Sequence, residues 1–236
     1  MHQIEIEQVS ERCKSVLNLA DAHQVDEFQY GSLPLCVIDT VFSIGVRYSS
    51  TEKVVERFCT YFGIPRLSKS GVPATSQQMP ISEFCASYVP LGIEGMARDV
   101  YRNWQRTSTR NGLLKSEAAL RFGEVLHNHG VNYFQDVERI LGEPVFEADI
   151  QAIPGQRSGI SLRYFYMLAG SSAYIKPDRM VEQFVRAAIG RTLGVSELHT
   201  ILLAVCKNLT EVYPRLTPRA LDHAIWSYQR QQPLEQ

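Results

Sequence analysis

The feature that most constrains the fold is a turn with two glycines between two segments of helical character. Residues 152–170 have the sequence AIPGQRSGISLRYFYMLAG, in which Gly155 and Gly159 flank Arg157 and an apolar, aromatic segment follows at once. Glycines in such a turn leave its backbone N–H groups, and those at the start of the next helix, open to an approaching anion. The pattern predicts two helices joined by a hairpin that binds phosphate, and an ordinary helix–helix turn is the alternative.

Helical periodicity also dominates the rest of the chain. Alternating strand patterns are scarce, and neither an internal repeat nor a low-complexity segment is evident. The sequence therefore predicts an all-α protein. The predicted helices cover residues 33–50, 51–62, 82–88, 113–129, 161–169, 179–190, 195–212 and 218–231.

The composition and the N-terminal sequence indicate a globular protein without a membrane span. With 44% hydrophobic and 21% charged residues, a chain of 236 residues can bury the core of one large or two small domains. No apolar run reaches the roughly 18 residues of a membrane span, and the N-terminus is polar and acidic. We therefore expect a cytoplasmic protein without a membrane span or a secretory signal.

The sequence offers little support for metal or disulfide chemistry. The five cysteines are odd in number and far apart, which argues against a disulfide framework and against a zinc or iron–sulfur site. His127 and His129 are two residues apart, a poor spacing for sharing a metal from one helix face. We therefore expect neither a metal nor an organic cofactor.

A run of arginines supplies local positive charge in a chain whose net charge is −1. Arg98, Arg102, Arg106 and Arg110 recur every four residues, which on a helix places them along one face. Lys115 continues the run. Such a face suits a polyanion such as nucleic acid, and a solvated helix face is the alternative.

Three successive segments resemble, in order and spacing, the helix-hairpin-helix DNA glycosylase superfamily, the fold typified by endonuclease III. That family has a helix with Lys-Ala or Lys-Ser, then Leu-Pro-Gly-x-Gly, then a catalytic aspartate. Residues 33–50 are also similar to the helix that opens the family's six-helix barrel, so the resemblance covers residues 33–191. The matching residues are Lys115 and Ser116, then Ile153, Pro154, Gly155 and Gly159, then Asp178.

The resemblance implies two helical subdomains with a DNA cleft between them. Residues 33–178 would form the six-helix barrel, with the helix-hairpin-helix near residues 150–168, and residues 1–32 plus 179–236 the second subdomain. The implied partner is double-stranded DNA, bound by a monomer without membrane contact. A structural monovalent cation at the hairpin is the alternative to a protein without cofactors. The implied DNA contacts are Gly155, Arg157, Gly159, Ser161, Arg163, Arg102, Arg106 and Lys115.

The chain also departs from the family pattern. The sequence GQRSG stands where the family has Gly-x-Gly, so the hairpin is extended. Ser161 stands where strand-cleaving members have a lysine, and without that amine no Schiff base forms with the sugar. The cysteine cluster of the iron–sulfur members is missing. These departures imply a monofunctional glycosylase that hydrolyses only the N-glycosidic bond.

Asp178 is the catalytic residue that the resemblance implies. A carboxylate near the anomeric carbon stabilises the oxocarbenium character of the sugar as the base departs, or deprotonates water. Capping of the helix that starts at Arg179 is the alternative for the same side chain, and one carboxylate can do both.

A base inside a duplex must be flipped into a pocket before it is released, with a side chain filling the gap. Arg47 or Tyr48, which follow the barrel's opening helix, are the expected wedge residues. Trp104 and Tyr164 are the other candidates for the wedge or the base pocket. Core packing behind the hairpin is the alternative for Tyr164.

Two functions of different classes remain open. The first is a DNA glycosylase for a damaged or modified base, acting in genome base excision repair or in defence against modified phage DNA. The second is a non-catalytic helix-hairpin-helix DNA-binding module. A carboxylate at Asp178 favours the enzyme, because a binding module gains nothing from an acid near phosphates.

Overall fold

The computed structural model describes residues 2–22, 29–69 and 71–232, which fold into α-helices joined by loops and short helical turns. No β-strand occurs in these ranges, so the predicted all-α class is confirmed. None of the helices there combines the length and the apolar character needed to cross a membrane. The helices are α1 Gln3–Val16, α2 Leu33–Phe42, α3 Tyr48–Phe62, α4 Ile81–Ala86, α5 Tyr88–Gly95, α6 Lys115–Asn128, α7 Pro144–Ala152, α8 Ile160–Leu168, α9 Arg179–Ile189, α10 Val195–Leu209 and α11 Pro218–Gln229.

Shorter helical elements lie between these helices. Thr75–Gln77 and Phe134–Ile140 are 3₁₀ helices, and Met96–Tyr101 is a π-helix. The single helix predicted for residues 82–88 is replaced by α4 and α5. Pro90 lies in the first turn of α5, where a residue without an N–H forfeits no helical hydrogen bond. The helix is interrupted at Gly92, whose φ is +66°.

The chain divides into two compact units. The central unit is Phe28–Gly170, and the flanking unit combines Met1–Glu27 with Ser171–Gln236. The division expected from the sequence had its boundaries at residues 32 and 178 instead. With the observed boundaries, the two-glycine turn belongs to the central unit and Asp178 to the flanking unit.

In the central unit, α2 packs against α3, α6 and α8. All 10 of its residues are buried, as expected for a helix that is apolar on nearly every side. Pro34 stands in its first turn, where proline is favoured. The segment after α2 leads to Arg47, the residue immediately before α3.

In the flanking unit, α9 packs against α1 and α11. Val181, Phe184 and Val185 are buried at a helical spacing that places them on one face. Asp178 caps the start of α9, and Gly190, with φ of +76°, ends it in the left-handed region. The packing of this amphipathic helix therefore fixes the place of Asp178 within the unit.

Candidate nucleic-acid interface

A turn of residues 153–159 joins α7 and α8, as the two-glycine pattern predicts. The N–H of Gln156 donates to the carbonyl oxygen of Ile153 (2.9 Å), and the N–H of Gly159 donates to that of Gln156 (3.0 Å). Gly155 and Gly159 have φ of +94° and +71°, a region that strains residues with side chains. The predicted helix–turn–helix is therefore confirmed, although α7 lies in a segment for which no helix range was predicted.

Part of the backbone of this turn is available to a ligand. The N–H groups of Arg157 and Ser158 have no hydrogen-bond partner among the described residues. Arg157 is exposed, and α8 begins directly after the turn. Free N–H groups beside a helix N-terminus and a cation favour an anion. The binding of a phosphate here stays a prediction.

The expectation that no side chain lies against the turn is not met at Gly155. A Cβ atom at Gly155 would lie 2.4 Å from the Cβ of Thr107. The hydroxyl of Thr107 donates to the carbonyl oxygen of Pro154 (3.1 Å). Glycine at this position therefore lets residues 102–114 pack against the turn, and the space beside it is filled by protein.

The extended turn keeps one of its side chains inside the protein. Gln156 is 0% exposed and Ser161 is 5% exposed, and the Ser161 hydroxyl donates to the side-chain oxygen of Gln156. The sequence places Ser161 among the DNA contacts. The structure commits its hydroxyl to the interior of the hairpin instead, because Gln156 needs a partner there.

The prediction that the arginines share one helix face is wrong. Met96–Tyr101 ends at Arg102, whose φ of +49° terminates the helix. The guanidinium of Arg57 holds this end, donating to the carbonyl oxygens of Tyr101 (3.0 Å) and Arg102 (3.3 Å). Residues 103–114 therefore form a loop, which we call the arginine loop together with Arg102.

The arginine loop folds back on itself. The N–H of Thr107 donates to the carbonyl oxygen of Leu113 (2.9 Å), so the two sides of the loop are paired. Arg106 donates to the carbonyl oxygen of Gly112 (2.8 Å) and braces the loop. Arg102 and Arg110 are exposed. Arg98 lies outside the loop and is paired with Asp99 (2.8 Å).

Lys115 is not a surface cation, contrary to its predicted contact with DNA. It is 1% exposed, and its Nζ donates to the carbonyl oxygens of Phe42 (2.9 Å) and Ile44 (2.7 Å) and to Oε1 of Gln105 (3.2 Å). Burial lowers the pKa of Lys115 to about 8. The ammonium satisfies carbonyl groups that the C-terminal end of α2 leaves open, so its three donors are occupied by protein.

These contacts tie three segments of the central unit together. Lys115 joins the end of α2 to the arginine loop, and Thr107 joins the arginine loop to the turn. Residues 43–47, 102–114 and 153–159 contain no aspartate or glutamate. Their exposed cations are Arg47, Arg102, Arg106, Arg110 and Arg157, and the half-buried Arg163 follows in α8.

A buried acid that the sequence did not single out accepts a hydrogen bond from one candidate pocket residue and acts electrostatically on another. Asp39 of α2 is 0% exposed, and it accepts hydrogen bonds from the hydroxyls of Tyr30 (2.8 Å) and Tyr164 (3.4 Å). Burial, and then the negative charge of Asp39, raise the pKa of Tyr48. The available signal was an acid within the otherwise apolar segment LPLCVIDTVF.

The other candidate wedge residues lie on the surface of the central unit. Trp104 is 54% exposed in the arginine loop, and Arg47 is exposed at the start of α3. Tyr48 and Tyr164 are half-buried, and Asp39 acts on the hydroxyl of each. Wedge and pocket roles for these four residues stay predictions.

Asp178 has the geometry of a helix cap. Its Oδ1 accepts the N–H groups of Met180 (2.9 Å) and Val181 (3.2 Å), so the capping alternative is confirmed. Its Oδ2 lies 3.8 Å from Nζ of Lys176. The side chain is 26% exposed, so one carboxylate oxygen is held by the backbone while the group stays accessible. The catalytic role stays a prediction.

One group of side chains in the described part of the flanking unit has ligand atoms close enough to share a metal ion. It consists of His2, Glu5 and Glu197. Arg191 already donates to Glu5 (2.7 Å) and Glu197 (2.7 Å). The hydrogen bond from Arg191, and then that from His2, lower the pKa of Glu5 to about 2. A guanidinium thus occupies the place where these carboxylates would bind a cation.

A family model described as a domain of unknown function, DUF8548, matches residues 7–230. The chain belongs to this family. No curated protein matches the chain, and no solved structure matches it.

The DUF8548 match includes the glycine turn, the arginine loop and Asp178, whereas His2 and Glu5 lie before it. It begins within α1 and extends beyond α11. Residues of both compact units therefore lie within the range that the family model matches.

Proposed function

We propose that the protein is a monofunctional DNA glycosylase that releases a damaged or modified base from double-stranded DNA and leaves an abasic site. The observation that carries the proposal is the turn of residues 153–159. Its N–H groups at Arg157 and Ser158 lack partners among the described residues, and it is tied to an arginine loop that contains no acid. These are the features of a backbone-directed phosphate site.

The central unit provides DNA binding in this proposal. The turn and the exposed arginines contact phosphates without regard to sequence, which positions the duplex. Arg47 and Trp104 are exposed side chains that can enter the base stack, and the half-buried rings of Tyr48 and Tyr164 can stack on a flipped base. The Tyr164 hydroxyl donates a long hydrogen bond to the buried Asp39 (3.4 Å), which favours one orientation of that ring.

The flanking unit provides Asp178, the proposed catalytic carboxylate. In the reaction, the bond between C1′ and the base nitrogen breaks and the base leaves with the bonding electrons. A water oxygen forms the new bond to C1′, and the proton of that water passes to the carboxylate. The carboxylate also opposes the positive charge that develops on the sugar. The cap fixes Oδ1, so the group meets this charge with little reorganisation.

Neither Ser161 nor Lys115 supplies an accessible amine for a lyase reaction. Residue 161 is a serine, and the ammonium of Lys115 is buried against three acceptors. Schiff-base formation requires an accessible amine. Lys176, whose Nζ lies 3.8 Å from Oδ2 of Asp178, forms an ion pair with that carboxylate. Base excision without strand cleavage is the proposed outcome.

The proposal is tested by incubation with duplexes that each carry one modified base. Excision of at least one base should be detected as strand breaks that form only after alkali or heat, and borohydride should trap no covalent adduct. A protein that binds the duplexes yet produces no abasic site from any of them would instead support a DNA-binding module. Efficient borohydride trapping would contradict the monofunctional assignment.

Neutralising the exposed arginines should reduce the salt dependence of DNA binding. In Arg102→Gln/Arg157→Gln, the slope of log Kd against log salt is expected to fall by about 2, because each lost phosphate contact removes about 0.9. Fluorescence anisotropy between low and moderate salt gives this slope. Arg139→Gln is the matched control, because Arg139 is an exposed arginine of the central unit that is paired with Asp136. An unchanged slope in the double variant would contradict the assignment of these contacts.

A further inference from the structure

A second carboxylate of the flanking unit is connected to the chain segment that carries Asp178. Asp222 of α11 is 9% exposed, and its Oδ1 accepts the backbone N–H of Lys176 (2.9 Å). The start of the same helix makes another bond to this segment, because the N–H of Arg219 donates to the carbonyl oxygen of Ser172 (3.2 Å). Residues 172–178, which have no helical structure, are therefore fastened to the first turns of α11.

The fastened segment ends at the proposed catalytic group. Ile175 is 0% exposed and Pro177 is buried, so two side chains anchor it to the core. The N–H of Asp178 donates to the carbonyl oxygen of Lys176 (2.8 Å). The hydrogen bond from Lys176 to Asp222 thus lies only two residues before the carboxylate whose position matters.

A buried carboxylate that serves only as a hydrogen-bond acceptor for one backbone N–H carries an unfavourable desolvation free energy. An amide oxygen would accept the same N–H without the desolvation of a charge. Burial, and then the negative charge of Asp178, raise the pKa of Asp222 to about 7, whereas the N–H and the charge of Lys176 oppose the increase. A carboxylate at residue 222 is therefore expected only if its charge acts on Lys176 and Asp178.

We propose that Asp222 is a positioning residue for Asp178: its carboxylate holds the backbone at Lys176 and so fixes the place of the catalytic group. This inference rests on the function proposed above. Asp222 itself touches neither water nor sugar in the reaction. Its charge strengthens the hydrogen bond from Lys176, so the segment is held most firmly when Asp222 is ionised.

Titratable groups lie around Asp222 on its own helix and on the elements packed against that helix. Asp178 and Lys176 act on it from the fastened segment, and Arg219 and His223 are titratable neighbours on its own helix. The helices α9 and α10 also pack against α11. Their titratable side chains are Arg179, Glu182, Arg186, Glu197, His199, Cys206 and Lys207.

The test compares Asp222→Ala and Asp222→Asn with the unchanged protein in single-turnover base release at saturating DNA. Loss of the hydrogen bond in Asp222→Ala should lower the rate constant by on the order of tenfold to a hundredfold, with Kd for DNA unchanged. Because the segment is held most firmly when Asp222 is ionised, the rate constant of the unchanged protein should increase through about pH 7. In Asp222→Asn the hydrogen bond remains but the side chain cannot ionise, so this increase should disappear. Thr217→Ala is the matched control, because it removes the cap of α11 and leaves Asp222 in place.

A second measurement does not depend on activity. Amide hydrogen exchange at Lys176 should be faster in Asp222→Ala than in the unchanged protein and in Thr217→Ala. If the unchanged protein releases no base but exchange at Lys176 responds as expected, the proposed function fails while the hold on the segment stands. The positioning role is overturned if exchange at Lys176 is unaffected, or if folded Asp222→Asn keeps both the rate and the pH profile of the unchanged protein.

Discussion

Asp178→Asn is expected to lose base release by on the order of a hundredfold or more while it keeps its fold and its affinity for DNA. The asparagine oxygen can accept the N–H groups of Met180 and Val181 in place of Oδ1, so the helix cap survives. Only the charge that opposes the developing oxocarbenium ion is removed. Single-turnover excision at saturating DNA, a binding isotherm and a thermal unfolding curve measure the three properties separately.

Two companion variants separate catalysis from capping. Asp178→Ala should lose base release to the same extent and, in addition, about 1 kcal/mol of stability, because the cap is gone. Glu211→Gln removes one exposed carboxylate from the same unit and should leave all three properties unchanged. Removal of a negative charge near phosphates is expected to leave DNA affinity equal or tighter. A folded Asp178→Asn protein that excises a proven substrate at the normal rate would disprove the catalytic assignment.

Lys115→Met is expected to lower the free energy of unfolding by about 3 kcal/mol, because buried acceptors lose their donor. Methionine fills much of the same volume, but the carbonyl oxygens of Phe42 and Ile44 and Oε1 of Gln105 would lose the ammonium that serves them. For a chain of this size, the melting temperature should fall by roughly 6–12 °C. Denaturant unfolding at pH 7 measures the loss.

Arg121→Met is the control on the same helix. Arg121 is exposed and paired with Glu117 (2.6 Å), and an exposed pair of this kind contributes up to about 1 kcal/mol. The salt slope of DNA binding should be unchanged in Lys115→Met, because a buried ammonium neutralises no phosphate. A stable Lys115→Met protein with a reduced salt slope would restore Lys115 to the DNA contacts and contradict its structural role.

The lowered pKa of Lys115 should make the free energy of unfolding depend on pH, and this dependence should be absent from Lys115→Met. Burial lowers this pKa to about 8 in the folded protein, from 10.5 for an unperturbed lysine. Between these values the unfolded chain binds more protons, so this group makes the protein more stable as pH rises from about 8 towards 10.5. Unfolding free energies measured across this range should show the increase in the unchanged protein and not in Lys115→Met.

Local sequence patterns were sufficient to predict most of the helices and two details of the candidate site. Most helices lie near their predicted ranges, since helical periodicity and caps depend on residues within one or two turns. The exceptions include α7, for which no range was predicted, and α2, which ends at Phe42 instead of residue 50. The glycines of the turn have the positive φ that a hairpin requires, and Asp178 caps α9. The error at Pro90 arose because proline ends a helix in its interior but is tolerated in its first turn.

The arginine spacing shows where local patterns mislead. A repeat of four predicts one helix face only if the segment is helical. Arg102 instead adopts φ of +49°, and Arg57, 45 residues earlier in the chain, binds its carbonyl oxygen. The capture of a helix end by a distant side chain leaves no periodic signal in the sequence.

The sequence by itself determined the all-α class, the glycine turn and the cap at Asp178, because each depends on neighbours along the chain. The tertiary structure alone decided which charged groups are buried and what they hold. Lys115 reaches Phe42 across 73 residues, and Asp222 reaches Lys176 across 46. Burial of a charge depends on the acceptors, donors and solvent around it after folding, and these are brought together by the packing of helices that are distant in sequence.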